Sequence, residues 1–154
     1  MKTIRELFAS DISRRIEEVI KVDQTDEEIV REELSEYVVT DSIRNYLLEI
    51  VERYQETPNN PHEGVGVWVS GFFGSGKSSF AKYLGLALEN RPILGTGAGE
   101  LLAQRTGDTK VQVVLNQITE KIPTDAVIFD IATEKGVLSS SQSVVEITYC
   151  LLLE

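Results

Sequence analysis

Apolar residues recur every three or four positions through the first 56 residues, with charged residues between them. This spacing predicts amphipathic helices, because residues three or four apart share one face of a helix. The pattern TDEE at residues 25–28 is typical of a capping box and predicts the start of one helix, whereas Thr40 or Asp41 is predicted to cap the next. The apolar faces comprise Ile12, Ile16, Val19 and Ile20, then Ile29, Val30, Leu34 and Tyr37, then Ile43, Leu47, Ile50, Val51 and Tyr54.

A different pattern begins after residue 56. Residues 57–64, TPNNPHEG, are rich in turn formers and predict a linker between an N-terminal helical segment, 1–56, and a second part, 65–154. Residues 65–70 alternate apolar and small side chains and predict a strand. Residues 125–133 predict another strand, apolar enough to be buried on both faces of a parallel sheet.

Helices are predicted over residues 77–90 and 109–122, both between the two predicted strands. Residues 94–108 predict a loop with at most one helical turn. An almost wholly apolar helix over residues 143–154 would require burial on more than one side. The apolar face of the helix over 77–90 consists of Phe80, Leu84 and Ala87 or Leu88. The apolar face of the helix over 109–122 consists of Val111, Val114, Leu115, Ile118 and Ile122.

Composition adds that the chain is 42% hydrophobic and 26% charged, which is typical of globular proteins. No apolar run approaches the roughly 18 residues that cross a bilayer, and the N-terminus lacks the apolar region of a secretory signal. Cys150 is the only cysteine and is interpreted as a core residue, which favours a reducing, cytoplasmic setting. His62 is the only histidine and is predicted to lie in a solvated loop.

The net charge is −10, and residues 1–64 carry 16 Asp and Glu against 8 Lys and Arg. The acidic half is interpreted as a solvated helical surface. Because such a surface repels a phosphate backbone, this segment alone is not expected to bind nucleic acid directly.

The strongest chemical signal is GFFGSGKSS at residues 71–79, which satisfies the phosphate-loop pattern G-x-x-x-x-G-K-[ST] between a predicted strand and a predicted helix. Glycines let backbone amides close around phosphate oxygens, and the helix start adds unpaired amides and a positive dipole end. Lys77 supplies a charge for the β- and γ-phosphates, and the Ser78 hydroxyl is an oxygen ligand for Mg²⁺. The predicted nucleotide-binding residues are Gly71, Gly74, Ser75, Gly76, Lys77, Ser78 and Ser79.

Two further features lie within or near the phosphate loop. Phe72 and Phe73 either pack into the core or face a partner. Gly95, Gly97 and Gly99 have the spacing G-x-G-x-G, which is not a dinucleotide fingerprint, and are interpreted as a flexible loop.

Hydrolysis also requires an acid near Mg²⁺ at the end of a neighbouring strand. Asp130 is a weak candidate for this catalytic role, since the next residue, Ile131, is not an acid. The alternative is that Asp130 belongs to an ordinary core strand. Glu134 is a weaker candidate still. A complete P-loop domain has a parallel sheet of about five strands, whereas two are predicted here. The expected fold is therefore α/β, a partial P-loop NTPase sheet over 65–154 preceded by helices, completed by further chain or a partner.

The chain resembles the start of the large P-loop ATPase of BREX bacteriophage-exclusion systems. The resemblance runs through residues 15–50, 61–88 and 120–133, and WVSGFFGSGKSSFAK, with its double Phe, is the most specific part. It implies a cytoplasmic ATPase, related to AAA+ and STAND-like classes, that acts with other BREX proteins in phage defence. It also implies that the segment before the phosphate loop flanks the adenine, with Tyr37, Val38 and Val39 as candidates; the alternative is that these residues simply pack at the junction between two helices.

Two functions remain open on these grounds. The first is an ATP- and Mg²⁺-binding portion of a BREX-type ATPase, in which hydrolysis requires the rest of the protein and partners are other BREX proteins or further copies of the chain. The alternative is a partner-docking module that uses its acidic helices and Phe72 with Phe73, with nucleotide as a structural ligand at most.

Overall fold

The computed structural model describes residues 3–8, 20–22, 24–60, 66–129 and Tyr149. A short 3-10 helix, Ile4–Leu7, comes first. Five α-helices and one small hairpin follow within these residues: α1 Glu27–Glu36, α2 Asp41–Gln55, α3 Lys77–Glu89, β1 Pro92–Ile93, β2 Thr96–Gly97, α4 Ala98–Thr106 and α5 Thr109–Lys121. No helix in this part of the chain is both long and apolar enough to cross a membrane.

Polar side chains set the starts of α1 and α2. The carboxylate of Asp26 accepts hydrogen bonds from the amides of Glu28 and Ile29, at 3.0 and 3.3 Å, so Asp26 caps α1 and the capping residue predicted at Thr25 is wrong by one position. The Thr40 hydroxyl accepts from the amide of Ile43, which confirms Thr40 as the cap of α2. In both cases a side-chain oxygen accepts hydrogen bonds from amides of the first turn, which have no acceptor within the helix.

A single hydrophobic core joins all five helices, and α4 contacts α1, α3 and α5 within it. Because α4 is covered on several sides, most of its side chains are buried, including Leu101 and Leu102. The apolar face predicted for α5 is confirmed, whereas the faces predicted for α1 and α2 are confirmed only in part, since Ile29, Ile43 and Ile50 do not belong to the core. Their buried members are Val30 and Leu34, Leu47 and Val51, and Val111, Val114, Leu115 and Ile118.

The helix predicted after the phosphate loop is confirmed as α3, but its buried face is broader than predicted. Phe80, Leu84 and Leu88 are only partly buried. The fully buried residues are Lys82, Tyr83, Leu86 and Ala87. This helix packs against α4 and α5, so a single apolar stripe does not describe its burial.

The predicted parallel sheet of a P-loop NTPase is wrong for this structure. The described residues are mostly helical, and their strands are the antiparallel pair β1 and β2, with Pro92 opposite Gly97 and Ile93 opposite Thr96. Residues 66–70 form no strand, and Trp68 is 90% exposed. An alternating pattern favours an extended backbone, but a strand also requires a hydrogen-bonded neighbour, and the described residues provide none there.

The second predicted strand also lacks a strand partner over its described portion, residues 125–129. Ala126 and Ile128 instead lie beside α3. A methyl group built on Gly85 would stand 2.9 Å from Cδ1 of Ile128 and 3.7 Å from Cβ of Ala126. Burial against a helix therefore explains part of the apolar character that predicted a central strand. Asp130 and Glu134 lie outside the described residues, as do Cys150, His62 and all of residues 143–154 except Tyr149.

Residues 94–108 contain β2 and α4, so the prediction of a loop with at most one helical turn is wrong, as is the interpretation of the second glycine cluster as a flexible loop. Leu94 and Gly95 both have positive φ, 49° and 81°, and form the two-residue turn of the β1–β2 hairpin. A methyl group on Gly97 would lie 2.3 Å from Oδ1 of Asn90, and the same Oδ1 accepts a hydrogen bond from the amide of Gly99 at 3.2 Å. These glycines let the start of α4 approach the end of α3.

Candidate functional site: the phosphate loop and its groove

The phosphate loop connects an extended segment, residues 66–70, to the first turn of α3. Gly74 and Gly76 have φ of 78° and 84°, in the left-handed region where a side chain is strained. Inside the loop the amide of Ser75 donates to the carbonyl of Phe72 at 3.2 Å, which closes a tight turn. Gly76, which the motif requires, and Gly74, at a variable position of the motif, therefore occupy backbone conformations that favour glycine.

Gly71 is required for a different reason, the close packing of the loop. A methyl group on Gly71 would stand 2.8 Å from Oγ of Ser75 and 3.8 Å from Cδ of Lys77. The first contact is shorter than van der Waals distance, so the missing side chain makes room for the serine. Gly71 thus brings the two ends of the loop together.

Lys77 is the first residue of α3, and its ammonium lies across the loop. Its Nζ donates a 2.7 Å hydrogen bond to the carbonyl oxygen of Phe72. The first helical hydrogen bond runs from the amide of Phe80 to the carbonyl of Gly76, at 2.9 Å. The amides of residues 77–79 precede that bond and have no acceptor within the helix, which gives this end of α3 the character of an anion site.

The seven predicted nucleotide-binding residues thus occupy one loop and the adjoining helical turn. The loop from Gly71 to Ser75 is exposed, as is Ser78, while Lys77 and Ser79 are half-buried. Ser78 offers an exposed side-chain oxygen beside Lys77, which fits one ligand position of Mg²⁺. That ion commonly takes its other oxygens from phosphates and water.

A groove with a volume of about 900 Å³ runs along the loop. It is lined by residues 66–72 with Ser75, Gly76, Lys77 and Phe80, and by residues of α2 and of the turn that follows it. This volume lies within the range of about 300–1,000 Å³ typical of small-molecule sites.

The α2 side of the groove contains residues that the sequence did not assign to a site. Ile43, Tyr46 and Ile50 line it, although Ile43 and Ile50 were expected in the core face and Tyr46 had no role. Their spacing of three and four residues was a signal for a second helix face, beside the one that buries Leu47 and Val51. The groove is thus flanked by a helix that is apolar on two sides.

Of the residues expected to flank adenine, Tyr37 lines the groove, whereas Val38 is 71% exposed and does not. The ring of Tyr37 packs edge-on against Tyr83, with centroids 4.9 Å apart. Its backbone carbonyl accepts hydrogen bonds from Nε and Nη2 of Arg105, at 3.1 and 2.8 Å. Tyr37 is therefore fixed from both α3 and α4, and burial raises the pKa of its hydroxyl.

The two phenylalanines of the loop face outward. Phe72 is 91% exposed and Phe73 is 100% exposed, so the interpretation that they pack into the core is wrong for the described structure. Phe72 also contributes to the groove.

Comparison with protein-family models and with solved structures identifies no family for the chain. No protein-family model matches the chain. No solved structure matches it either.

Proposed function

We propose that the chain binds ATP with Mg²⁺ through the phosphate loop. The observation that carries the proposal is the geometry at the start of α3, where Gly74 and Gly76 have positive φ and Lys77 follows them at the edge of a ligand-sized groove. Backbone amides and the ammonium would hold the phosphates, and Ser78 would provide one oxygen ligand to Mg²⁺.

We attribute ATP binding to this chain and hydrolysis to a longer protein of the BREX type, which the resemblance of the sequence supports. The acid and the charge-stabilising residues that hydrolysis requires have no assigned position among the described residues. On the same grounds we propose a cytoplasmic protein whose partners are other BREX proteins or further copies of the chain.

Calorimetric titration of the chain with ATP and Mg²⁺ tests the proposal. Binding is expected in the wild type, and Lys77→Ala should abolish it because the ammonium beside the phosphates is lost. Lys110→Ala provides the control, since Lys110 lies on α5 in an exposed pair with Glu52. A folded Lys77→Ala variant with unchanged ATP affinity would refute nucleotide binding at this loop.

Exposure of Phe72 and Phe73 favours one second candidate, the partner-docking module. In this case the aromatic side chains bind another copy of the chain, and nucleotide has no more than a structural role. Sedimentation of the wild type and of the double variant Phe72→Ser, Phe73→Ser distinguishes the two functions. Docking through these two rings predicts self-association that the variant loses, whereas the ATP-binding function alone predicts the same association state in both.

A further inference from the structure

Within the part of the chain that the structure describes, the groove face of α2 lies outside the hydrophobic core. Leu47 and Val51 of the same helix are 2% and 0% exposed and supply its contact with the core. Tyr46, by contrast, is 63% exposed, and it lines the groove with Ile43 and Ile50. We name these three residues the α2 wall.

Polar groups lie next to the α2 wall along the same helix. Nη2 of Arg53 is 3.1 Å from Oε1 of Glu49, and both side chains are more than half exposed and line the groove. Thr57 and Asn60 line it beyond the end of α2. An apolar surface bordered by a few hydrogen-bonding groups is the usual character of a site for a small organic ligand.

The occupant follows from the continuity of the groove with the phosphate loop. Lys77 and the amides at the start of α3 are suited to phosphate, whereas the α2 wall, which lines the same groove, consists of two aliphatic side chains and one aromatic ring. A ligand that satisfies both sides has an anionic end and a flat, weakly polar end. A nucleotide has this division, with a base whose faces stack on aromatic rings.

We propose that the α2 wall binds the base and ribose of the nucleotide, with the base on the ring of Tyr46 between Ile43 and Ile50. This inference rests on the proposed phosphate site. It assigns base recognition to α2 rather than to Val38, which lies outside the groove.

Two ligands separate the wall from the loop: ATP with Mg²⁺, and inorganic tripolyphosphate with Mg²⁺, which has no base. Tyr46→Ser should weaken ATP binding about fivefold or more, because stacking on the ring is lost. Tripolyphosphate binding should not change in this variant. Because Tyr46 is exposed, the substitution should leave the fold intact, and thermal unfolding checks this.

Two further variants make the test specific. Tyr46→Phe retains the ring and should retain ATP affinity, which separates stacking from a role of the hydroxyl. Val113→Ser removes an apolar side chain of α5 that is 48% exposed and does not line the groove, and it should affect neither ligand.

The outcomes separate this inference from the proposed function. Unchanged ATP affinity in Tyr46→Ser, or equal loss of ATP and tripolyphosphate binding, would overturn the α2 wall as a base site. Equal affinity of the wild type for the two ligands would also overturn it, although phosphate binding at the loop would stand. If the wild type binds neither ligand, the proposed function fails, and the inference fails with it.

Discussion

Lys82 donates a hydrogen bond of 2.7 Å to the carboxylate of Glu33, although only 1% of the lysine side chain and 12% of the glutamate side chain are exposed. The same ammonium donates to the carbonyl oxygen of Lys21 at 2.8 Å. Lys82 lies on α3, one and a half turns after Lys77, and Glu33 lies on α1. The pair therefore fixes the N-terminal helix to the helix that begins at the phosphate loop.

Glu33→Gln should lower the free energy of unfolding by about 3 kcal/mol, because it leaves the buried charge of Lys82 without its counter-ion. Urea unfolding measures this change. In the control, Glu52→Gln removes an ion pair with Lys110 whose side chains are 41% and 62% exposed, and the cost should be below about 1 kcal/mol.

Replacing both members of the buried pair gives a further check on the origin of this loss. Lys82→Met together with Glu33→Met should recover much of the stability, since an apolar pair leaves no buried charge. Equal costs for Glu33→Gln and Glu52→Gln would contradict the assignment.

Tyr83 should make the protein sensitive to alkaline pH. Burial above all, and then the negative charges of Glu33 and Tyr37, raise the pKa of its hydroxyl from the ordinary value of 10.0. The folded protein then holds this proton more tightly than the unfolded chain does. The resulting stability is fully present below about pH 10 and decreases as the pH rises above it.

Tyr83→Phe should therefore flatten the decline in unfolding free energy between about pH 10 and about pH 12, by up to about 1.4 kcal/mol per pH unit. Near pH 7 the same change should cost less than about 1 kcal/mol, because the Tyr83 hydroxyl has no hydrogen-bond partner in the described structure. Urea unfolding across this pH range provides the measurement. Parallel pH curves for the wild type and the variant would show that Tyr83 does not titrate as inferred.

The sequence predicted the helices better than the sheet, for a physical reason. A helix satisfies its backbone locally, so Thr40 and the spacing of Val111, Val114 and Leu115 were sufficient to locate α2 and α5. A strand depends on a distant partner, which the alternation in residues 65–70 does not specify. The burial of Lys82 was missed because a lysine indicates a solvated face unless the position of Glu33 is already known.

The candidate site divides in the same way. Its local part, the glycine-rich loop before a helix, could be recognised from residues 71–79. The α2 wall could not, because it lines the same groove as the loop only after residues distant in the chain have packed. The glycines at 95, 97 and 99 stand out in the sequence, but their structural role could not be predicted from it. That role depends on the hairpin turn and on the side chain of Asn90.

Gly97→Ala should destabilise the protein by about 1–3 kcal/mol, because the added methyl group would stand 2.3 Å from Oδ1 of Asn90. Asn90 ends α3 with φ of 52°, a conformation that glycine adopts freely. Asn90→Gly should therefore recover part of the stability of Gly97→Ala by removing the clash. Thermal unfolding measures both changes, and Gly66→Ala, whose methyl group would meet nothing within 4 Å, should cost less than Gly97→Ala. Equal costs would contradict a packing role for Gly97.

Gly71 and Ser75 offer the sharpest test of how the loop is built. Gly71→Ala places a methyl group 2.8 Å from Oγ of Ser75, so the Ser75 side chain or the loop backbone must shift to admit it. Because the loop is exposed, global stability should change little, whereas ATP affinity should fall about tenfold as the amides move away from the phosphates. Ser75→Ala removes the obstructing oxygen and should restore much of the affinity when combined with Gly71→Ala. Calorimetry on the two single variants and the double variant gives the coupling energy. Additive losses would mean that Gly71 acts through its backbone rather than through the space that it leaves for Ser75.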